Sequence, residues 1–406
     1  MASTLKLGNG NWGVKEDSLL AYSDKNNNFL PFPFDFSRAS SATVVNKAGL
    51  IETVQSGISR IDFKDDANGA LLLEPQSTNL ITQSEDFSNG SWNKLNVSIL
   101  SNQITSPNGD INADKITDNT NNARHGLFLI GSWVSGVESV CSVYVKKGTK
   151  SKFVIGSTSN AQGSFFNLDT ESIINTGSFV GSIVSVGNGW YRCSVVFTAP
   201  ANYNLFIGLY DIVGNFYYAG TSSYLYIYGA QLEQQSYATS YIPTSGASAT
   251  RLQDIATNSG NATVINSEEG VLYAEIAALS DDGTTRRLAI SDGSTSNRVF
   301  IGYDVSTNSV QFVVSSEGSV VVNQTFTISD TTQFNKLALK YKLNDCSFWI
   351  DGVKVGTDTT APMPIGLNEV MFNQGTASRI FFGKVKSLQV YTTALTDAEL
   401  TTLTTI

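Results

Sequence analysis

The sequence predicts an all-β protein, with two antiparallel jelly-roll β-sandwiches preceded by a short irregular N-terminal module. Three observations predict it. Apolar and polar residues alternate with period two over most of the chain, the pattern of strands with one buried face. Gly, Asn and Pro interrupt these runs at short intervals, giving turns in place of helices. Charged residues are only 15% of the 406, while 41% hydrophobic and 11% aromatic residues can fill cores. A chain of this length exceeds one ordinary core, so more than one domain is expected.

Residues 1–75 read as the irregular module. Pro31 and Pro33 forbid a helix, and Gly49, Gly57 and Gly69 cut the segment into short pieces. Residues 76–245 read as the first sandwich. Cys141, Val143 and Val145 share one strand face, as do Tyr191, Cys193, Val195 and Phe197, then Leu205, Ile207 and Leu209, then Tyr224, Tyr226 and Tyr228. Residues 246–265, SGASATRLQDIATNSGNATV, read as a small-residue linker. Residues 266–406 read as the second sandwich, with Leu337, Leu339 and Tyr341 on one face and a hairpin signal at Asp351-Gly352. Thr396 with Glu399 three residues on forms a capping box, which predicts one short helix from Thr396 to Leu403 with Leu400 inward.

Three segments carry family resemblances. The run Phe34, Phe36, Arg38, Ser40, Ala42, Thr43, then Gly49-Leu50-Ile51, Arg60-Ile61-Asp62, Leu71-Leu72-Leu73-Glu74-Pro75 and Thr78-Asn79-Leu80 resembles the N-terminal module of many bacteriophage virion proteins. Ser59 stands where that pattern usually has Pro. Gly189-Trp190-Tyr191-Arg192-Cys193-Ser194, with Gly229-Ala230-Gln231-Leu232-Glu233 and Ala238-Thr239-Ser240-Tyr241-Ile242-Pro243-Thr244, resembles strands and exit loop of jelly-roll carbohydrate-binding modules. Cys346 to Val353, Phe382 to Val385 and Val390 to Leu400 resemble the end of a concanavalin A-like, laminin-G-like jelly roll.

A net charge of −9 argues against nucleic-acid and anionic-membrane partners. No run approaches the roughly 18 apolar residues that span a bilayer, so membrane insertion is not expected. MASTLKLGNGNW lacks a charged n-region followed by an apolar one, so assembly in a bacterial host cytoplasm is expected. Cys141, Cys193 and Cys346 are then expected as buried free thiols. No cofactor is expected. The jelly-roll resemblance allows a structural calcium, for which Asp281, Asp282, Asp292, Asp86, Asp110 and Asp114 are candidates, against their plain reading as turn formers.

Catalytic chemistry has few carriers. The one histidine, His125, is read as solvated, and no P-loop, Gly-x-Ser-x-Gly or His-Glu-x-x-His motif occurs. A two-carboxylate glycosidase needs no histidine, but only Glu275 stands at a suitable strand position. Glycan binding needs rings to stack on sugar C–H faces and short polar partners for the hydroxyls. Trp133, Tyr217, Tyr218, Tyr210 and Trp92 are the candidate rings, while Trp190, Tyr226 and Tyr228 fit the interior.

The expectation is a non-enzymatic structural or adhesive virion protein, a fibre, spike or head decoration, displayed at the virion surface. Its expected partners are other virion proteins and a host-surface glycan. A polysaccharide hydrolase and a purely structural decoration protein are the alternatives. The tyrosine-rich strands, low charge and virion resemblance lead to a homotrimer as the expected oligomer. Light scattering should give three chains per particle, and a strictly monomeric protein at high concentration would contradict it.

Overall fold

The computed structural model describes residues 2–23, 29–130, 135–158, 162–198 and 204–406. Its strand ladders are antiparallel, and the described residues hold one α-helix. The chain divides into two compact units. One comprises Met1–Ser41, Val54–Pro75 and Leu252–Ile406; the other comprises Ala42–Thr53 and Gln76–Arg251.

In the first unit a twelve-stranded sheet faces a five-stranded sheet across one core. The N-terminal 75 residues are distributed over both units instead of standing apart. Leu5–Gly8 pairs along Gly383–Tyr391, Ser18–Ser23 along Leu30–Ser37, and Ala70–Leu73 along the start of that same C-terminal strand. The reason lies in their apolar alternation. Leu5, Leu7, Leu19, Ala21, Phe34 and Phe36 are buried with Leu272, Ile276 and Val390 in the shared core, and a segment so short cannot bury such stripes alone.

Residues 246–265 also depart from the expected linker. They supply the strands Ala249–Arg251, in the second unit, and Ile255–Thr257, which pairs with Leu30–Ser37 in the first. Between them Asp254 is fully buried and sits at the centre of an ion network. Arg38 Nη1 donates to Asp254 Oδ1 at 2.9 Å, Arg60 Nη2 donates to Asp254 Oδ2, and Arg60 Nη1 donates to Glu74 Oε2 at 2.6 Å. Glu74 N–H also donates to Asp254 Oδ2 at 2.9 Å, and Asp254 N–H to Glu74 O at 3.0 Å. Arg38 reaches Gln55 O and Ser40 O with its remaining donors. Burial alone would lower the Arg60 pKa, yet the charges of Asp254 and Glu74 carry it above the ordinary value. Two guanidinium groups and two carboxylates thus neutralise each other in the protein interior.

In the second unit a seven-stranded and a six-stranded sheet enclose Trp92, Leu127, Val143, Phe153, Cys193, Ile207 and Ile227. Asn79 acts as a clasp. Its Nδ2 donates to Ala230 O and Ile242 O, and its Oδ1 accepts from Ile81 and Leu232 N–H. Ile242 N–H donates to Gln231 Oε1 at 2.6 Å, and Thr239 N–H to Glu233 Oε2 at 3.0 Å. Burial raises the Glu233 carboxyl pKa, the hydroxyls of Ser77 and Thr239 opposing it. All three cysteines are buried and free, and burial pushes the Cys141 thiol up to about 12.

The helix spans Asp397–Thr404 and follows Thr396 as its N-cap. Glu399 N–H donates to Thr396 Oγ1, and Thr396 N–H returns to Glu399 Oε2 at 2.9 Å. Leu400 is fully buried among Val271, Tyr273, Ala338, Trp349 and Leu395.

Breaking the buried ion network by one member leaves uncompensated charge away from water. Asp254→Ala should destabilise the first unit by about 3–5 kcal/mol, read from denaturant melts of the intact chain. A loss below about 1 kcal/mol, the scale of a surface pair, would show the network to be dispensable.

Candidate functional site

Period-two geometry sorts the expected glycan-stacking rings. Tyr217–Ala219 is a short strand paired with Asn122, Ala123 and Arg124, so successive residues point to opposite faces. Tyr217 is 54% exposed, with the Arg124 guanidinium 5.0 Å from its ring centre. Tyr218 turns inward, against His125 at 4.5 Å, and its hydroxyl donates to Asp118 Oδ2 at 2.7 Å. Tyr210 is buried edge-on to Phe165, and Trp92 is buried beside Phe87 with Nε1–H on Gln83 O. Tyr218, Tyr210 and Trp92 therefore offer no ring face to a sugar. Trp133 lies outside the described residues. Trp190 and Tyr228 are core residues, as their strand registers imply.

His125 is not solvated. It lies fully buried in the strand Asn122–Ile130, with Nδ1 2.9 Å from Asn96 O and Nε2 3.1 and 3.2 Å from Asn121 O and Tyr218 O. Glu275 is nearly buried and pairs with Lys386 at 3.1 Å. The Asp351 carboxyl is raised by burial and, more weakly, by the charge of Glu275, while it accepts Lys336 N–H at 2.8 Å.

The candidate calcium ligands serve local bonds. Asp282 pairs with Arg286, Asp281 accepts Asn308 N–H, Asp292 accepts from Ser294 and Asn297, and Asp86 accepts from Ser88 and Asn89. Asp110 lies in a turn, where its N–H donates to Asn108 Oδ1. Asp114 Oδ1 and Oδ2 accept from Asn102 and Phe87 N–H. Among the described residues no three His, Cys, Asp or Glu side chains gather around a point that could hold a metal ion.

A chemically distinctive cluster lies elsewhere, on the buried face of the five-stranded sheet of the first unit that is turned away from the main core. Its strands run in the order Ser319–Thr327, Ser309–Ser316, Arg298–Tyr303, Arg286–Ser291, Glu369–Met371. Leu288, Ile290, Val299, Ile301, Phe312 and Val314 point into the core. Alternation leaves Arg287, Ala289, Arg298, Phe300, Gln311, Val313 and Asn323 on the opposite face.

Ala289, Phe300 and Val313 make an apolar floor there. The Arg287 guanidinium lies 4.4 Å from the Phe300 ring centre and that of Arg298 lies 5.2 Å from it. Gly302 separates Arg287 from Gln311 in the register. A Cβ on Gly302 would come within 2.2 Å of Arg286 O and 2.9 Å of Arg287 Cγ, so the missing side chain lets Arg287 cross the sheet. Arg287 Nη2 donates to Gln311 Oε1 at 2.7 Å and Nη1 to Gln374 Oε1 at 3.2 Å. Arg298 Nη1 donates to Gln374 O at 2.8 Å and Nε to Ser315 Oγ at 3.3 Å. Gln311 Nε2 is anchored on Asn323 Oδ1.

All these acceptors are neutral. Arg287 and Arg298 are 6% and 9% exposed, and Arg287 Nε–H has no acceptor among the described residues. Burial, then the charges of Arg379 and Arg298, push the Arg287 guanidinium down to about 10, with Asp304 opposing weakly. Arg298 is lowered by burial and by Arg379. Glu369 and Asp292, at the neighbouring sheet edge, form no ion pair with either arginine; Asp292 is engaged with Ser294 and Asn297. The arrangement is a closed cluster in which Ala289, Phe300 and Val313 are buried beneath two arginines held by neutral partners. Sequence reasoning centred on exposed aromatics missed it. The available signal was two arginines, Arg287 and Arg298, at outward registers of alternating strands, the second two residues before Phe300.

Residues 254–401 match the family model described as the Concanavalin A-like lectin/glucanases superfamily. No curated protein matches the chain. Among solved structures the chain is similar to the Ruminococcus gnavus IT-sialidase CBM40 bound to alpha2,3 sialyllactose, at 20% identity over 36% of this chain and 93% of that one, TM-score 0.30. It is similar to domains LG4-5 of the mouse laminin alpha1 chain, at 12% identity over 68% and 89%, TM-score 0.24. It is also similar to Trypanosoma rangeli sialidase in complex with sialic acid, at 10% identity over 95% and 65%, TM-score 0.30. At such TM-scores none of these three likenesses specifies a ligand for this chain.

Asp114 gives this part of the molecule a pH signature. Burial, opposed by its two N–H partners, pushes its carboxyl up to about 6 from 3.8. The folded state then binds more protons than the unfolded one between these values, so this group's contribution to stability falls as pH rises from about 4 to about 6. A carbon-detected NMR titration of the Asp114 carboxyl should show a midpoint near 6, and a midpoint below 4 would contradict the burial argument.

Proposed function

We propose that this chain is a non-enzymatic adhesion protein of a bacteriophage virion that holds a host-surface glycan. The observation in the structure that carries this reading is Tyr217, the expected ring that stays 54% exposed, with the Arg124 guanidinium 5.0 Å from its centre. An exposed ring can stack on sugar C–H faces. The match of residues 254–401 to a lectin and glucanase superfamily supports a carbohydrate ligand. The Phe34 to Leu80 pattern supports the virion setting, where other virion proteins are the partners and a trimer is the expected assembly.

One observation favours a hydrolase as the second reading: Glu275 and Asp351 lie close enough for one charge to affect the other carboxyl. Both are already engaged, Glu275 with Lys386 and Asp351 with Lys336 N–H. Neither is an open acid beside a cleft, so the non-enzymatic reading is preferred.

A glycan array probed with the intact chain tests the proposal. Binding to a defined subset of glycans, lost on Tyr217→Ala, is the expected result. Binding to nothing, or binding indifferent to that substitution, would leave a purely structural decoration role. Release of reducing sugar from a bound polysaccharide, abolished by Glu275→Gln, would instead establish the hydrolase.

A further inference from the structure

A second exposed ring surface lies in the first unit, on the strands Ser18–Ser23 and Leu30–Ser37 of its twelve-stranded sheet. Leu19, Ala21, Phe34 and Phe36 point into the core. Alternation therefore turns Leu20, Tyr22, Pro31 and Pro33 to the opposite face, with Pro31 directly across from Tyr22. On that side the Phe29 ring stacks on the Tyr22 ring, with 5.1 Å between centres and 24° between planes. Phe29 is nonetheless 60% exposed. The stack covers one face of its ring, so an exposure of that size includes the other face. A single exposed apolar side chain is ordinary. A ring held flat by a second ring is a preformed platform.

Hydrogen-bonding groups border the stack. Asn11 Nδ2 donates to the Tyr22 hydroxyl oxygen at 3.3 Å. The Tyr22 hydroxyl proton and Asn11 Oδ1 have no partner among the described residues. Lys6 lies across from Tyr22 on the strand Leu5–Gly8 and forms no ion pair among the described residues. No cation of the described residues sits over either ring, in contrast to Arg124 at Tyr217.

We propose that the Tyr22–Phe29 stack is a saccharide-binding site, separate from Tyr217. It takes the C–H face of an equatorially substituted pyranose on the open face of Phe29, and hydroxyl groups of the same saccharide chain on Asn11, the Tyr22 hydroxyl and Lys6. Equatorial hydroxyls lie near the plane of the sugar and leave C–H groups on both of its faces. Such a ligand uses the platform and its polar border together, whereas an apolar protein surface would leave the border unpaired. Tyr22 and Tyr217 belong to different units. The two sites differ in charge at the ring, so they select different glycans, and either can fail without the other.

Calorimetric titration of the intact chain with cellohexaose tests this. That probe is built of equatorially substituted rings and offers a platform the flattest C–H faces. The expected result is binding that Tyr217→Ala leaves in place, that Phe29→Ala weakens at least tenfold, and that Phe29→Trp retains. The Phe29 side chain is exposed, and an unchanged melting temperature separates lost binding from misfolding. Binding lost on Tyr217→Ala and indifferent to Phe29→Ala would overturn the second site and leave the Tyr217 reading standing. Absence of cellohexaose binding by the intact chain would overturn the saccharide assignment of the stack. Self-association in light scattering, abolished by Phe29→Ala and unaffected by cellohexaose, would overturn it in favour of a contact between two copies of the chain.

Discussion

The first unit depends on one buried balance of charge. Arg38, Arg60, Glu74 and Asp254 come from four separated stretches of chain and meet where water is excluded. Each carries a cost that only the others offset. The network therefore fixes where the segment after residue 251 must lie relative to the strands before residue 75. The paired strands Ile255–Thr257 and Leu30–Ser37, together with the strand Ala70–Leu73, are positioned around it. The apolar stripe of Leu5, Leu7, Leu19 and Phe34 joins these segments to the favourable burial of the shared core. The ion network supplies register, because apolar contact alone tolerates sliding and a guanidinium held by two buried carboxylates does not.

The same unit holds the opposite situation on the outer face of its five-stranded sheet. There the arginines are supported by Gln311, Gln374, Ser315 and the Phe300 ring, all neutral. Gly302 opens the path that Arg287 takes, so the crowding of charge is built into the backbone and not an accident of side-chain rotamers. Within one unit, buried arginines meet carboxylates in the network and neutral partners on this face.

Much of the fold was legible because β-structure writes itself in period two. The alternation through Cys141, Val143 and Val145 and the capping box at Thr396 each pointed to a feature that is present. The motif from Phe34 to Leu80 was legible as a pattern but not as a mechanism. Arg38, Arg60 and Glu74 have no value until Asp254 is brought to them, and Asp254 lies in a stretch of small polar residues that reads as a linker. The candidate rings failed for a related reason. Tyr217 and Tyr218 look alike in sequence, yet one step along a strand exposes the first and buries the second. Arginine at an outward register is ordinarily a solvated surface group. Only the pairing of Arg287–Gly302–Gln311 across three strands shows that it is not.

The most direct measurement is a matched pair of substitutions, Arg60→Met and Arg287→Met, compared by thermal unfolding of the intact chain. Both replace a buried guanidinium by an apolar chain that fills much of the same space. If charge is balanced at the first position and unbalanced at the second, Arg60→Met lowers the melting temperature markedly, and Arg287→Met leaves it unchanged or raises it. A comparable fall in both variants would contradict the account, since Arg287 would then be a structural group with its charge already satisfied.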